Sequence, residues 1–479
     1  MRAWRMRRAR RHRRLALPLA LGLAALCSAA SLAAARPGQT EVEPNTLVPK
    51  GVIRYAPGVF PDRIVATPAQ DAATGFGVSW RTALPAQPSP VIDAPVVEIV
   101  VAGDSPDMGP RRRVAARSST LAGENGAAEF HHAHVDGLQP DTLYAWRVQG
   151  VGTWSPWMHT RTAAAADAPL TLLYFGDTQN KNASLSTRVL REAHRQAPDA
   201  KLALFAGDLV SGGDGEDDNE WGEWFDAVGP LATMVVNAPA PGNHEYREEF
   251  EDTPQERRVL GGHWSHAFAL PANGAPGAEA TSYWFDYQNV RVVVLDGTSA
   301  LDLGTAEAQA VWLDRTLAAN PHPWSIALIH QPMYSPRQDR DNVALRERVL
   351  PVLERRRVDL VLQGHDHVYG RRAGEDPTRA TPQYLVSVVG AKQYRLSDDA
   401  RRDMAPTAED TQLFQVIRLD GDTLHYESRT ATGRLYDAFE LRGATPQTRT
   451  LHEITEGRIA PRDCARDETL KGRADRCWG

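Results

Sequence analysis

Residues Lys201 to Leu209 read KLALFAGDL. The apolar run is short and ends at Gly207 and Asp208, which is typical of a buried strand followed by a loop. In open α/β sheets the loops at the carboxyl ends of the strands form the ligand site. We therefore place a candidate site around Asp208, and we expect its carboxylate to bridge two metal ions.

Four other stretches also place polar residues where predicted strands end. They are Gly176-Asp177-Thr178-Gln179, Gly242-Asn243-His244-Glu245, Leu328-Ile329-His330 and Gly364-His365-Asp366-His367. With the first stretch they offer seven candidate metal ligands, which are Asp177, Gln179, Asp208, Asn243, His330, His365 and His367. This mixture of carboxylates, amides and imidazoles suits Zn, Mn or Fe better than calcium.

The chemistry of such a site follows from its charge. Two cations about 3.5 to 4 Å apart share an anionic ligand, lower the pKa of a bridging water and neutralise a bound phosphate, so that a hydroxide can attack phosphorus. The leaving oxygen then needs a proton. His244 is the candidate general acid, because it stands next to Asn243 and can face the leaving group while Asn243 faces a metal.

Each candidate also has an ordinary explanation when it is taken alone. Asp177 and Asp208 could cap the helix that follows the strand. His330 could be a hydrogen-bonded core histidine, and His365 and His367 could be exposed loop residues. The occurrence of all seven residues in this order argues against coincidence.

The amino terminus is typical of an export signal. Eight arginines between Arg2 and Arg14 precede an apolar segment that reaches about Leu32 and a run of small residues from Ala33 to Ala35. This pattern predicts a signal peptide over residues 1–35 and a secreted or periplasmic protein, with an uncleaved anchor as the alternative. The adjacent Arg13 and Arg14 also permit twin-arginine export.

The net charge limits the classes of binding partner, and the cysteines predict a disulfide. Cleavage of the leader makes the formal net charge of −6 more negative by eight units, which argues against nucleic acid as the partner. It also leaves no stable membrane span. The two cysteines after the leader, Cys464 and Cys477, would form a disulfide in an oxidising compartment.

Composition and periodicity divide the chain after the leader. We expect an extended segment over 36–51, an all-β domain over 52–162, a linker over 163–169, an α/β domain over 170–442 and a tail over 443–479. About seven short strands, a core Trp80 and a turn that leads into Tyr144 indicate a small sandwich of the fibronectin type III kind. His131, His132 and His134 are interpreted as structural or surface residues. Thr233 to Asn237 is one of the strands predicted in the α/β domain.

The order of the five motifs resembles the calcineurin-like metallophosphoesterase superfamily. The β domain is similar to the amino-terminal domain of the purple acid phosphatases, and the resemblance extends from about Val52 to Leu441. It implies a four-layer α/β/β/α sandwich preceded by a small all-β sandwich. It also implies one metal held by Asp177, Asp208 and His367, and a second held by Asp208, Asn243, His330 and His365.

The chain departs from the family pattern at two positions. Ser211 stands where the purple branch has the tyrosine that binds ferric iron, so ferric colour is not expected. Gln179 stands where the wider superfamily has a histidine. We expect its amide oxygen to ligate weakly, the alternative being that it only hydrogen-bonds a metal-bound water.

The expected protein is a secreted phosphomonoesterase with two divalent or trivalent ions, Fe, Zn or Mn, and a phosphate ester as its substrate. Two alternatives stay open at this point. One is a phosphodiesterase acting on nucleotides or lipid head groups with the same metal pair. The other is a binding protein without catalytic activity.

Overall fold

The computed structural model describes residues 44–49, 51–84, 94–211, 217–250, 253–338 and 340–462. The predicted leader, Cys464 and Cys477 lie outside these residues, so the expectations about them stay predictions. Among the helices of these ranges, none combines the length and the apolar character that a membrane span needs.

The amino-terminal domain is a sandwich of two antiparallel four-stranded sheets, with strand orders β1-β2-β6-β5 and β4-β3-β7-β8. Trp80 and Trp146 are buried between the sheets. The hydroxyl of Tyr144 accepts a 2.8 Å hydrogen bond from the N–H of Gln139, which closes the predicted turn. The strands are β1 (Asp62–Pro68), β2 (Phe76–Ala83), β3 (Val96–Val101), β4 (Arg112–Ala115), β5 (Arg117–Gly123), β6 (Gly126–Val135), β7 (Leu143–Val148) and β8 (Met158–Arg161).

The second domain alternates strands and helices over its first two thirds and then returns to strands. The strands are β9 (Leu170–Phe175), β10 (Leu202–Phe205), β11 (Val236–Pro239), β12 (Tyr246–Glu249), β13 (Arg257–Leu260), β14 (Tyr283–Tyr287), β15 (Val290–Val294), β16 (Trp324–Leu328), β17 (Leu360–Gln363), β18 (Tyr369–Ala373), β19 (Gln383–Val386), β20 (Thr407–Ala408), β21 (Leu413–Asp420), β22 (Thr423–Thr430), β23 (Leu435–Arg442) and β24 (Thr450–Glu453).

The helices are short. They are α1 (Thr187–Gln196), α2 (Asp218–Val228), α3 (Leu231–Met234), α4 (Gly262–Ala267), α5 (Gly297–Asp302), α6 (Ala306–Ala318), α7 (Leu350–Arg356) and α8 (Asp398–Asp403). In the described residues three further helical turns cover Asn182–Ser186, Asn243–Glu245 and Leu345–Val349.

Two seven-stranded sheets form the centre of the second domain. Their strand orders are β11-β10-β9-β21-β22-β23-β24 and β14-β15-β16-β17-β19-β18-β20. Strands β9, β10 and β11 run parallel in the first sheet, as do β15, β16, β17 and β19 in the second. These strands are buried on both faces, which is why they are predominantly apolar in the sequence.

Three cores separate four layers. Leu172 and Leu204 of the first sheet pack against Ile326 and Leu362 of the second. Helices α1 and α2 cover the outer face of the first sheet, and α6 and α7 cover that of the second. The predicted α/β/β/α sandwich behind an all-β domain is confirmed.

Two parts of the prediction differ from the structure. Helix α3 occupies the start of the segment predicted as a strand over Thr233 to Asn237, and the strand begins only at Val236. The segment expected as a tail continues the fold, because β24 pairs with β23. Arg449, just before β24, is buried and donates a hydrogen bond to the carboxylate of Asp359 at 3.0 Å.

Candidate metal centre

The candidate ligands lie just after the carboxyl ends of parallel strands. Asp177 follows β9 and Asp208 follows β10, while His330 follows β16 and His365 follows β17. Because the two sheets face each other, these ends bring residues from both sheets to one place. The separate stretches of the sequence thus meet at one edge of the sandwich.

Two clusters of possible ligand atoms share one carboxylate. Asp177, Asp208 and His367 each offer an atom within 4.8 Å of the others, and so do Asp208, His330 and His365. Asp177, Asp208, His330 and His367 are almost completely buried. The geometry therefore contains two adjacent places that could hold a cation, with Asp208 between them.

The hydrogen bonds of His330 test whether a cation fits the second cluster. Its Nδ1 lies 2.7 Å from the carbonyl oxygen of Ala206, which only accepts, so Nδ1 carries the proton. The opposite Nε2 faces three groups that a metal also binds: Asp208 Oδ2 at 3.1 Å, His365 Nδ1 at 3.0 Å and Asn243 Oδ1 at 3.3 Å. Four electron-rich atoms around one point fit a bound cation.

The charges agree with this interpretation. Burial alone would lower the pKa of His330, but the carboxylates of Asp208 and Asp177 outweigh it and raise that pKa to about 9. For His365, burial and then the charge of His330 hold the pKa well below its usual value. Positive charge is therefore favoured between these side chains, and one divalent ion would supply it without protonating either ring.

His367 provides the same test for the first cluster. Its Nδ1 lies 2.8 Å from the carbonyl oxygen of Lys392, so this nitrogen also carries the proton. Its Nε2 is 3.0 Å from Oδ2 of Asp177, a buried oxygen that has no hydrogen-bond partner among the described residues. A neutral imidazole and a carboxylate that face each other in this way fit a metal held between them.

The side chain of Gln179 lies inside the first cluster. Its amide nitrogen is 2.6 Å from Asp208 Oδ2 and 3.0 Å from His367 Nε2, and its buried amide oxygen has no hydrogen-bond partner among the described residues. Rotation of the amide by half a turn would bring its oxygen towards the same atoms. The predicted ligation by Gln179 is therefore sterically feasible and stays a prediction.

His244 and Asn243 lie together in the helical turn Asn243–Glu245. The backbone N–H of His244 donates a 2.9 Å hydrogen bond to Oδ1 of Asp208, which ties the turn to the shared ligand. The Nδ1 atom of His244 is buried and has no hydrogen-bond partner among the described residues. The structure thus brings together all seven predicted ligands and the predicted acid.

The glycines of two motifs are needed because a carboxylate packs against each. A Cβ at Gly242 would collide with Asp208 Oδ1, and a Cβ at Gly364 would collide with Asp177 Oδ1. Each of these two oxygens also accepts a hydrogen bond from the backbone of a neighbouring loop. Asp208 accepts from His244 N at 2.9 Å, and Asp177 accepts from His365 N at 2.6 Å. Each carboxylate therefore fixes a neighbouring loop.

Glu245 supports the site, although sequence reasoning gave it no role. Its buried carboxylate accepts hydrogen bonds from the backbone N–H groups of Asp208 at 2.9 Å, Leu209 at 2.8 Å and Gly242 at 2.6 Å. It therefore joins the loop after β10 to the loop after β11. Its place in the Gly-Asn-His-Glu motif was the available signal.

Asn45 is a second residue that the sequence did not indicate. Its side chain donates to Ser211 Oγ at 2.9 Å and accepts from the Asn180 side chain at 3.2 Å and the Lys181 N–H at 3.1 Å. Ser211 lies three residues after Asp208, and Asn180 follows Gln179. The amino-terminal segment thus connects two of the candidate ligand loops, and no local motif would have predicted this.

Two family models match the chain. Residues 170–369 match the calcineurin-like phosphoesterases, and residues 61–162 match the purple acid phosphatase N-terminal domain. The chain therefore carries both domains, as the motif order predicted for the second and the resemblance of the β domain predicted for the first. These matches cover the two regions on which the candidate site and the β sandwich lie.

Similar curated proteins include an uncharacterized protein of Mycobacterium tuberculosis, 27% identical over 336 residues that make up 63% of this chain and 60% of the relative. Purple acid phosphatase 23 of Arabidopsis thaliana is 26% identical over 277 residues, 50% of this chain and 57% of that protein. Phosphoenolpyruvate phosphatase of Allium cepa is 25% identical over 330 residues, 63% of this chain and 64% of that enzyme. The chain thus spans about three fifths of the length of these relatives.

Among solved structures, purple acid phosphatase PPD1 from yellow lupin seeds is similar, with a TM-score of 0.65 at 18% identity. The similarity covers 79% of this chain and 74% of the lupin protein. At this level of identity the structural similarity supports the assignment of the fold alone.

Proposed function

We propose that this chain, a calcineurin-like phosphoesterase domain joined to a purple acid phosphatase N-terminal domain, is an exported metal-dependent hydrolase of phosphomonoesters. The observation that carries the proposal is the pair of ligand clusters that share Asp208. Two neighbouring cations need a shared anionic ligand, and a carboxylate at a strand end supplies one on a rigid backbone.

The residues divide into two ligand sets. Asp177, Asp208 and His367 would hold one ion with Gln179 as a further donor, and Asp208, Asn243, His330 and His365 would hold the other. When bound, the two ions neutralise the charge of a phosphate group and lower the pKa of a bound water. The backbone carbonyls of Ala206 and Lys392 orient the two imidazoles, since each accepts the Nδ1 proton.

His244 would supply the proton that the leaving oxygen needs. Its backbone is fixed by the bond to Asp208, and it follows Asn243 directly, so the ring can face the leaving alcohol while Asn243 faces the second metal site. A positioned general acid contributes typically about 10² to 10⁴ in rate. The contribution is needed only where the leaving alcohol is a poor leaving group.

The choice of monoesters over diesters rests on the names of the proteins to which the chain is similar. Its curated relatives include proteins named purple acid phosphatase and phosphoenolpyruvate phosphatase. A phosphodiesterase remains the competing hypothesis, because the same ligand sets would serve a diester.

The test measures hydrolysis of p-nitrophenyl phosphate and of bis(p-nitrophenyl) phosphate by the metal-loaded protein. We expect turnover of the monoester, its loss after chelation, and its recovery with Zn, Mn or Fe. Turnover of the diester alone would replace the proposal by a phosphodiesterase. Failure to hydrolyse either ester, in protein shown to contain two ions, would overturn both.

A leaving-group comparison tests His244. His244→Ala should lower the rate about 100-fold on glycerol phosphate, whose alkoxide must be protonated, and only slightly on p-nitrophenyl phosphate, whose phenolate leaves without a proton. The control His452→Ala changes an exposed histidine of β24 and should leave both rates unchanged. Equal losses on the two substrates would remove the acid role from His244.

Export is tested separately. The predicted leader would be cleaved near residue 35, and the mature amino terminus determined on protein from the periplasm or the medium would report this. An intact leader on active protein would contradict cleavage and favour the anchor.

A further inference from the structure

Two positively charged side chains lie over one aromatic ring at the edge of the candidate metal centre. The guanidinium carbon of Arg337 lies 4.0 Å from the ring centre of Tyr394, and the ammonium nitrogen of Lys392 lies 5.5 Å from it. Within the described residues neither charged group has a carboxylate or a hydrogen-bond partner. The nearby Arg340 differs, because it pairs with Asp366.

The ring that holds these cations is itself attached to a candidate ligand. The Tyr394 ring lies 4.9 Å from that of His367, and the Tyr394 N–H donates to the His367 carbonyl oxygen at 3.2 Å. The carbonyl of Lys392 accepts the Nδ1 proton of His367. Both cations are thus held on the His367 side of the first cluster, and Arg337, Lys392 and Tyr394 are partly exposed while His367 is buried.

Two positive charges over one ring, without a counter-charge among the described residues, favour an anion beside them. Cations of this kind cost little while they are hydrated, and an anion that reaches both gains from each. Within the described part of the chain no hydrogen bond, ion pair or ring contact joins either cation to a ligand side chain, so a phosphoryl group bound at the ligand clusters would not need them. They lie against the Tyr394 ring, which contacts His367, and so flank the first cluster without belonging to its ligand set.

We infer that Arg337 and Lys392 bind a second anionic group on the leaving alcohol, so that the preferred substrates are phosphomonoesters that also carry a carboxylate or another phosphate. This inference rests on the proposed phosphatase activity and names its substrate class. Tyr394 is a positioning residue, since its ring lies against both cations.

The experiment compares three substrates with one aryl scaffold. Phenyl phosphate has no second anion, 4-carboxyphenyl phosphate adds a carboxylate, and 1,4-phenylene bisphosphate adds a phosphate. For the metal-loaded full chain we expect kcat/KM about five- to tenfold higher with a second anion, mainly through a lower KM, as two partly exposed ion pairs would give. The larger of the two gains identifies which anion the site prefers.

Arg337→Gln should reduce this preference to less than twofold and leave phenyl phosphate turnover within twofold of the parent, and Lys392→Gln should also reduce the preference. Arg348→Gln is the matched control, because Arg348 is an exposed arginine whose side chain lies 3.7 Å from Glu307. A preference that survives in both variants, or that falls equally in the control, would overturn the inference.

A binding measurement separates this inference from the activity. Phenylphosphonate and 4-carboxyphenylphosphonate, which are not hydrolysed, are titrated into the metal-loaded protein by calorimetry. We expect tighter binding of the carboxylated compound, with the difference lost in Arg337→Gln. Equal binding of the two compounds would refute Arg337 and Lys392 as an anion site even if phosphatase activity is present. Absent turnover with intact discrimination between the two compounds would refute the proposed activity alone.

Discussion

Glu245→Gln is the substitution that tests how the ligand loops are held together. The parent carboxylate accepts three backbone hydrogen bonds, two at Oε2 and one at Oε1. A glutamine can keep its oxygen towards Asp208 and Gly242, but its NH₂ group then faces the N–H of Leu209. One bond is lost and a buried donor is left without an acceptor.

The size of the effect follows from that count. A buried N–H left unsatisfied costs about 1 to 3 kcal/mol, and the two remaining bonds weaken because the acceptor is no longer charged. Burial and the negative charge of Asp208 raise the pKa of Glu245, so removing its charge offsets part of this cost. We expect the free energy of unfolding to fall by about 2 kcal/mol and the affinity for metal to fall about 10- to 100-fold.

Urea unfolding and metal competition with a chelating dye measure the two effects. Glu249→Gln is the control, because Glu249 forms ion pairs with Arg247 and Arg257 on the surface, where such pairs contribute little to stability. If Glu245→Gln unfolds like the control and binds metal like the parent, the carboxylate does not hold the loops and this reasoning is wrong.

Three more predictions address other parts of the chain. His131 is buried between the hydroxyls of Thr82 and Ser118, and burial lowers its pKa to about 4. Below pH 6.5 the unfolded chain therefore takes up a proton on this histidine that the folded protein excludes. The free energy of unfolding should fall by about 3 kcal/mol between pH 6.5 and 4. Urea titrations should show this loss reduced in His131→Gln, and an unchanged pH dependence would contradict it. Asn45→Ala should weaken metal binding about three- to tenfold, because the loops of Asp208 and Gln179 lose their connection; a metal titration equal to that of the control Thr46→Ala would exclude this role. Gln179→His should raise the metal affinity of the first site, because imidazole binds these metals more strongly than a neutral amide oxygen does. If the variant retains metal against a chelator no better than the parent does, the residue at this position does not ligate the metal.

The candidate site could be predicted because each of its motifs is local. A strand that ends in Gly-Asp or Gly-His carries its own signal, and the parallel arrangement brings such ends together without any knowledge of the long-range contacts. The turn before Tyr144 was also predicted from a local sequence pattern. What it could not supply is which neighbour each motif touches, and for that reason Glu245 had no assigned role.

Contacts between distant segments left no pattern in the sequence. Arg337 meets Tyr394 because the chain forms an isolated bridge between Arg337 and Leu396, and nothing within either segment indicates that pairing. Strand β24 was missed for a related reason. It has four residues and only one of them is partly buried, so its place is decided by pairing with β23 and not by a periodic apolar pattern.

The backbone of the site connects these observations. Asp208, His365 and His367 have positive φ angles of 49°, 73° and 49°, and each such conformation costs about 1 to 3 kcal/mol for a residue with a side chain. The cost is offset by the two aspartates, because Oδ1 of each accepts a backbone N–H from the next loop while Oδ2 faces the ligand cluster. One oxygen thus fixes the fold and the other is left for a cation. An asparagine at Asp177 or Asp208 could keep the first role with its carbonyl oxygen, but its NH₂ group could not take the second, so the two positions require a carboxylate for a reason that lies in both the fold and the chemistry.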